Sequence, residues 1–186
     1  MEGGGPNTGG FARAQYSGFV HNNLIFGGRE GIFLEATNAG TILTHFTSNT
    51  IARASEDGII AGAESGPNGL SRVSARLFCN ILAENGRFGY VEFTERTAPL
   101  IFERNIFSSN RDGHYIDSAE RISTTTAQLN SATQNATNNL VADPLFVADG
   151  FRWTPNNIDF GEVGDFFLRQ DSTYMEIGRA SCRERV

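Results

Sequence analysis

Two carboxylates, Glu92 and Asp117, fall one structural repeat apart in this 186-residue chain. On neighbouring parallel strands such residues stand about 5 Å from each other. That is roughly the carboxyl separation of retaining glycoside hydrolysis, with one residue as nucleophile and the other as acid. Close like charges also raise one of the two pKa values, which a general acid needs. The competing reading makes both residues solvated carboxylates at turn edges. His114 follows Asp112-Gly113 and precedes Tyr115 and Asp117, which makes it a further candidate for proton transfer. Strand alternation turns its ring inward, where a hydrogen-bonded structural histidine is the alternative. Phe33, Tyr90 and Tyr115 form an aromatic set beside Glu35. Aromatic faces suit sugar rings, and such carboxylates act as acid, base or calcium ligand.

Other chemistries find less support. Lysine is absent, so abstraction of a proton beside a uronate carboxyl falls to arginine, with Arg87, Arg96 and Arg111 near chain corners. Each is also read as a solvated turn residue. His21, His45 and His114 occupy different columns of the repeat, so no metal triad is implied. Cys79 has no visible base partner and reads as an ordinary packed thiol.

The elements that must position these residues are repeats. Four segments align: NNLIFGGREGI from Asn22, NTIARASEDGI from Asn49, NILAENGRFGY from Asn80 and NIFSSNRDGH from Asn105. The marker asparagines are 27, 31 and 25 positions apart, and the following Gly31, Gly58, Gly89 and Gly113 are 27, 31 and 24 apart. Phe19, Phe46, Leu77 and Phe102 precede the asparagines by three positions, and Leu24, Ile51, Leu82 and Phe107 follow them by two. The apolar runs are short and lack a 3.6-residue period, which predicts strands. Asparagine tolerates the left-handed conformation of a sharp turn, and Asp-Gly makes the next corner. Stacked coils turn the apolar columns into continuous interior ladders, because no single coil buries its own core. The predicted fold is all-β, a parallel β-helix, or solenoid.

The strands after the glycine corner carry the candidate site. With Ile32, Leu34, Ile59, Val91, Phe93 and Ile116 inward, alternation sends Phe33, Glu35, Ile60, Tyr90, Glu92, Tyr115 and Asp117 outward.

Composition limits the partners. The formal net charge is −6, with 15 basic and 21 acidic residues, which argues against nucleic acid. No apolar run is long enough for a membrane span. No signal peptide is visible at the start of the sequence.

The Asn-x-hydrophobic and Asp/Glu-Gly-hydrophobic coils resemble the right-handed parallel β-helix of the pectin-lyase-like superfamily. VADPLFV, residues 141–147, resembles the DPLF box near the end of many secreted bacterial β-helix proteins. There a DFxL strand commonly follows, as Asp165-Phe166-Phe167-Leu168 does here. The last ten residues, IGRASCRERV, resemble a translated sequencing adapter, which marks the chain as a fragment of a longer one. The resulting division is a linker or partial coil at 1–18, coils at 19–123, and a polar loop or short helix at 124–140. A closing segment at 141–176 and the adapter at 177–186 complete it. The resemblance implies a secreted or cell-surface, monomeric protein, either a polysaccharide hydrolase or lyase, or a non-catalytic adhesin or polysaccharide-binding protein. On that reading the catalytic set is Glu92, Asp117 and His114, and the substrate-binding set is Phe33, Tyr90, Tyr115 and Glu35. Calcium is the one cofactor the carboxylates suggest.

Overall fold

The two-residue apolar period produces strands, and the strands stack because each leaves a buried row of side chains to be covered. The computed structural model describes residues 14–66 and 69–146. The first coil holds β1 (Gln15–His21), β2 (Leu24–Phe26) and β3 (Ile32–Ala36), and the second β4 (Thr41–Thr47), β5 (Thr50–Ala52) and β6 (Ile59–Ala63). An antiparallel ribbon, β7 (Ser65–Gly66) and β8 (Gly69–Leu70), precedes the third coil. That coil holds β9 (Arg72–Phe78), β10 (Ile81–Ala83) and β11 (Phe88–Glu92). The fourth holds β12 (Ile101–Glu103), β13 (Ile106–Ser108) and β14 (Gly113–Ile116). After β15 (Ile122–Ser123) and the helical turn α1 (Thr126–Leu129), β16 (Ala136–Thr137) and β17 (Leu140–Val141) extend the stack.

Equivalent strands form three five-stranded sheets, β1-β4-β9-β12-β16, β2-β5-β10-β13-β17 and β3-β6-β11-β14-β15. Within them every pairing is parallel except β14 with β15. The chain is therefore a parallel β-solenoid. Its core is three interior ladders: Val20/Phe46/Leu77/Phe102, Ile25/Ile51/Leu82/Phe107 and Ile32/Ile59/Tyr90/Tyr115.

β1 and β2 of the first coil are shifted by one residue from their expected register. Phe19 stands beside His45 and Leu24 beside Thr50, and both are exposed. The cause is the doublet Asn22-Asn23. Asn22 (φ 55°) takes the left-handed turn position, as do Ser48 (56°), Cys79 (55°) and Arg104 (57°), while Asn23 is the true repeat marker. Asparagine was expected to make that turn itself. Instead the residue before it turns, and the asparagine amide points into the coil.

There the asparagines form a hydrogen-bonded ladder. The Nδ2 groups of Asn23, Asn49, Asn80 and Asn105 donate to the Oδ1 of Asn49, Asn80, Asn105 and Asn139, at 3.1, 3.0, 3.0 and 3.0 Å. The other hydrogen of Asn49, Asn80, Asn105 and Asn139 caps the carbonyl of Val20, Phe46, Leu77 and Phe102. Each buried turn is thus satisfied without water. A shorter ladder runs from Asn85 to Asn110 at 2.8 Å.

Glycine occupies the opposite corner for want of space. A Cβ on Gly31, Gly58 or Gly89 would lie 2.6, 2.6 or 2.7 Å from the carbonyl oxygen of Gly58, Gly89 or His114. His114 rather than Gly113 is the fourth member, since Tyr115 pairs with Tyr90. A side chain is tolerated there because the next strand, β15, runs antiparallel. Gly89→Ala is expected to destabilise by about 1–3 kcal/mol through overpacking. A denaturant titration reading less than a few tenths of that would show the corner to be looser than its geometry.

Cys79 is disulfide-bonded, which corrects the expectation of an ordinary packed thiol. Of the C-terminal motifs, only 141–146 lie within the described residues. The DFxL segment at 165–168 and residues 177–186 lie outside them.

Candidate functional site

The outer face of the sheet β3-β6-β11-β14 follows the glycine corner, and its side chains alternate from it. In β3 and β6 the alternation is as expected, with Phe33 and Ile60 paired outward and Glu35 aligned with Gly62. In β11 and β14 it is inverted. Tyr90, Glu92 and Tyr115 are buried, whereas Val91, Ile116 and Phe93 lie on the outer side. Aliphatic residues were assigned to the core on hydropathy. The solenoid instead uses Val91, Ile60 and Phe88 in a second apolar cluster with Ile116, and gives the interior to two stacked tyrosines.

Those tyrosines fit inside because their hydroxyls have partners. The Tyr90 and Tyr115 rings stack at 5.6 Å with an interplanar angle of 8°. Tyr90 Oη donates to the Thr97 carbonyl at 3.1 Å, and Tyr115 Oη donates to Glu92 Oε2. Burial first, and then the nearby Glu92 carboxylate, push both phenols well above their ordinary range. Glu92 thus spends its carboxylate inside the solenoid.

Asp117 is equally committed. It accepts from Ala119 N at 3.0 Å, Arg121 N at 2.9 Å and Arg121 Nε at 2.6 Å, and so organises the turn after β14. Burial pushes its carboxyl up, but these donors outweigh burial and hold it below the ordinary aspartate range. His114 is buried near Phe107, with Nδ1 3.3 Å from Asn110 Nδ2, and burial lowers its pKa. Glu92 and Asp117 occupy successive coils as their spacing implied, yet neither they nor His114, Tyr90 or Tyr115 lines the open face.

What does line it is a groove of about 840 Å³, within the range of ligand-binding clefts. Ile60 and Gly62 belong to its lining, and Phe33 and Phe93 stand beside them, 55% and 60% exposed. Gly62 lies against the Phe93 ring, where a Cβ would make ordinary contact at 3.9 Å. Phe33 and Phe93 lie two coils apart, about 10 Å along the axis. They could therefore stack on separate rings of one oligosaccharide. Glu35 and Glu64 are exposed at the groove and make no ion pair among the described residues.

The corner side of the groove is a charged ridge. Arg29 Nε lies 2.6 Å from Glu30 and 3.8 Å from Glu56, and Arg87 bridges Asp57 at 3.5 Å and Asp112 at 3.9 Å. Arg111 pairs with Asp112 at 3.0 Å, and Arg96 donates to the Ser71 and Ala63 carbonyls at 3.0 and 3.2 Å. All three arginines proposed as bases from the sequence therefore hold structural partners. Among the described residues no group of three or more His, Cys, Asp or Glu is placed to hold a metal ion.

The groove also contains Asp57, which sequence reasoning treated only as part of an Asp-Gly corner. Asp57 is 2% exposed, and its Oδ1 accepts the Phe88 amide at 3.0 Å. Burial pushes its carboxyl above the ordinary aspartate range, and the Phe88 amide and Arg87 offset only part of this. A raised folded-state pKa means that the ionised carboxyl destabilises the fold above that pKa, with the penalty relieved as pH falls through it. Asp57→Asn keeps the acceptor and removes the charge. The variant is expected to melt above the parent at pH 7. The gain should vanish near pH 3. An equal gain at both pH values would show that charge burial is not its source.

Comparison of the chain with family models, with curated proteins and with solved structures finds no match. Among the described residues no helix is long and apolar enough to cross a membrane.

Proposed function

We propose that this β-solenoid binds an extracellular polysaccharide along the groove on its β3-β6-β11 face. The observation that carries the reading is the pair Phe33 and Phe93, exposed on either side of Ile60 and Gly62 and bordered by Glu35 and Glu64. Two large apolar rings held open to solvent contribute little to the core, but they offer flat faces to sugar rings. Carboxylates at the rim accept hydrogen bonds from sugar hydroxyls. The repeat's resemblance to secreted pectin-lyase-like β-helices supports a polysaccharide partner and a secreted or surface setting. Binding comes before catalysis in this reading because Glu92 and Asp117 are held by Tyr115 and Arg121.

The second reading, hydrolysis, rests on Asp57, a carboxyl that burial holds toward its protonated form within the same groove. The two are separated by affinity electrophoresis through gels containing xylan, β-glucan, pectate or alginate, run beside an assay of reducing ends. Retardation without new reducing ends is the expected result. Phe33→Ala/Phe93→Ala should weaken retardation at least tenfold with an unchanged melting temperature. Reducing ends abolished by Asp57→Asn would establish the hydrolase instead, and migration unaffected by every polymer would remove the glycan reading.

A further inference from the structure

Resting on that reading, we infer that the groove selects glycans that carry neither carboxylate nor sulfate groups. Its lining sets three arginines, Arg29, Arg87 and Arg96, against five acids, Glu30, Glu35, Glu56, Asp57 and Glu64. The excess is negative, and the cations are already engaged. Arg29 lies between Glu30 and Glu56, Arg87 between Asp57 and Asp112, and Arg96 on two backbone carbonyls. Recognition of a uronate or sulfate needs a guanidinium free to make paired, charge-assisted bonds. Here such a ligand would have to displace an existing carboxylate partner and approach Glu35 and Glu64 at the same time. An uncharged chain meets neither obstacle. Its ring faces rest on Phe33 and Phe93, and its hydroxyls donate to the rim carboxylates.

The groove is open, so repulsion acts through solvent and is screened over about 10 Å at 0.1 M salt. The discrimination is therefore salt-dependent. The test is isothermal titration of the protein with uncharged xylo-oligosaccharides and with oligogalacturonates of matched length, in EDTA, at about 20 mM and about 300 mM salt. Xylo-oligosaccharide affinity should be at least tenfold higher at low salt and change less than twofold with salt. The gap should narrow at high salt and in Glu35→Gln/Glu64→Gln, whose side chains keep their acceptor oxygens. Oligogalacturonate binding as tight as or tighter than xylo-oligosaccharide binding would overturn the inference while leaving a glycan groove in place. Binding of neither ligand class, nor of a β-glucan series, would remove the glycan reading and this inference with it.

Discussion

Asn80→Ala is expected to cost about 2–6 kcal/mol. Asn80 is fully buried at the middle of the ladder. Its Oδ1 accepts from the backbone N and the side-chain Nδ2 of Asn49, both at 3.0 Å, and its Nδ2 donates to Phe46 O at 2.9 Å and Asn105 Oδ1 at 3.0 Å. Truncation leaves the Asn49 backbone N–H and one Asn49 amide hydrogen buried without partners, at about 1–3 kcal/mol each. Typical domain stability is only about 5–15 kcal/mol, so the variant approaches unfolding. Asn23→Ala, at the exposed end of the same ladder, should cost less than about 1 kcal/mol. Urea denaturation of both variants checks the contrast. Equal small losses would mean that the ladder adds little beyond the apolar columns.

Glu92→Ala is expected to lose about 2–4 kcal/mol. The truncation leaves the buried Tyr115 hydroxyl without its acceptor and opens space beside the tyrosine stack. Glu92→Gln retains an oxygen that can accept from Tyr115 and removes a buried charge, so it should stay within about 1 kcal/mol of the parent. Neither change touches the groove, and glycan retardation measured well below the melting temperature should be unaltered. Loss of a hydrolytic activity in Glu92→Gln, at unchanged stability, would return Glu92 to the catalytic role its spacing first suggested.

The solenoid was legible in the sequence because its two constraints are local and repeated. An asparagine must satisfy each turn, and a glycine must pass beneath the carbonyl of the next coil. Both recur with the apolar columns between them. Register was harder to read where one constraint was duplicated. The Asn22-Asn23 doublet offers two markers one residue apart, and only the ladder bond from Asn23 to Asn49 decides between them. A one-residue slip exchanges the faces of a strand, so Phe19 and Leu24 moved from core to surface.

The site was misplaced for a related reason. Hydropathy ranks Val91, Phe93 and Ile116 above tyrosine as core residues, but it carries no information about hydroxyl partners. Thr97 and Glu92, which make Tyr90 and Tyr115 acceptable inside, lie respectively on the turn after β11 and on β11 itself. The alignment of Gly89 with Gly58 puts Tyr90 opposite Ile59, on the inner face, but placing Val91 and Phe93 inward overrode that register. Phe33 and Glu35 were placed correctly, since nothing perturbs the alternation in β3. Asp57 was missed because its burial depends on the coil stacked above it, and no local pattern carries that.

On the proposed function, a glycan lies across Phe33 and Phe93. Hydroxyl-radical footprinting of the protein, with and without a saturating uncharged oligosaccharide, tests it most directly. Exposed Tyr16 and Phe19, on β1, serve as internal comparators. Protection confined to Phe33 and Phe93, with Tyr16 and Phe19 oxidised as before, is the result predicted. Protection centred on Phe19, or bound ligand with no protection at either groove phenylalanine, would contradict it.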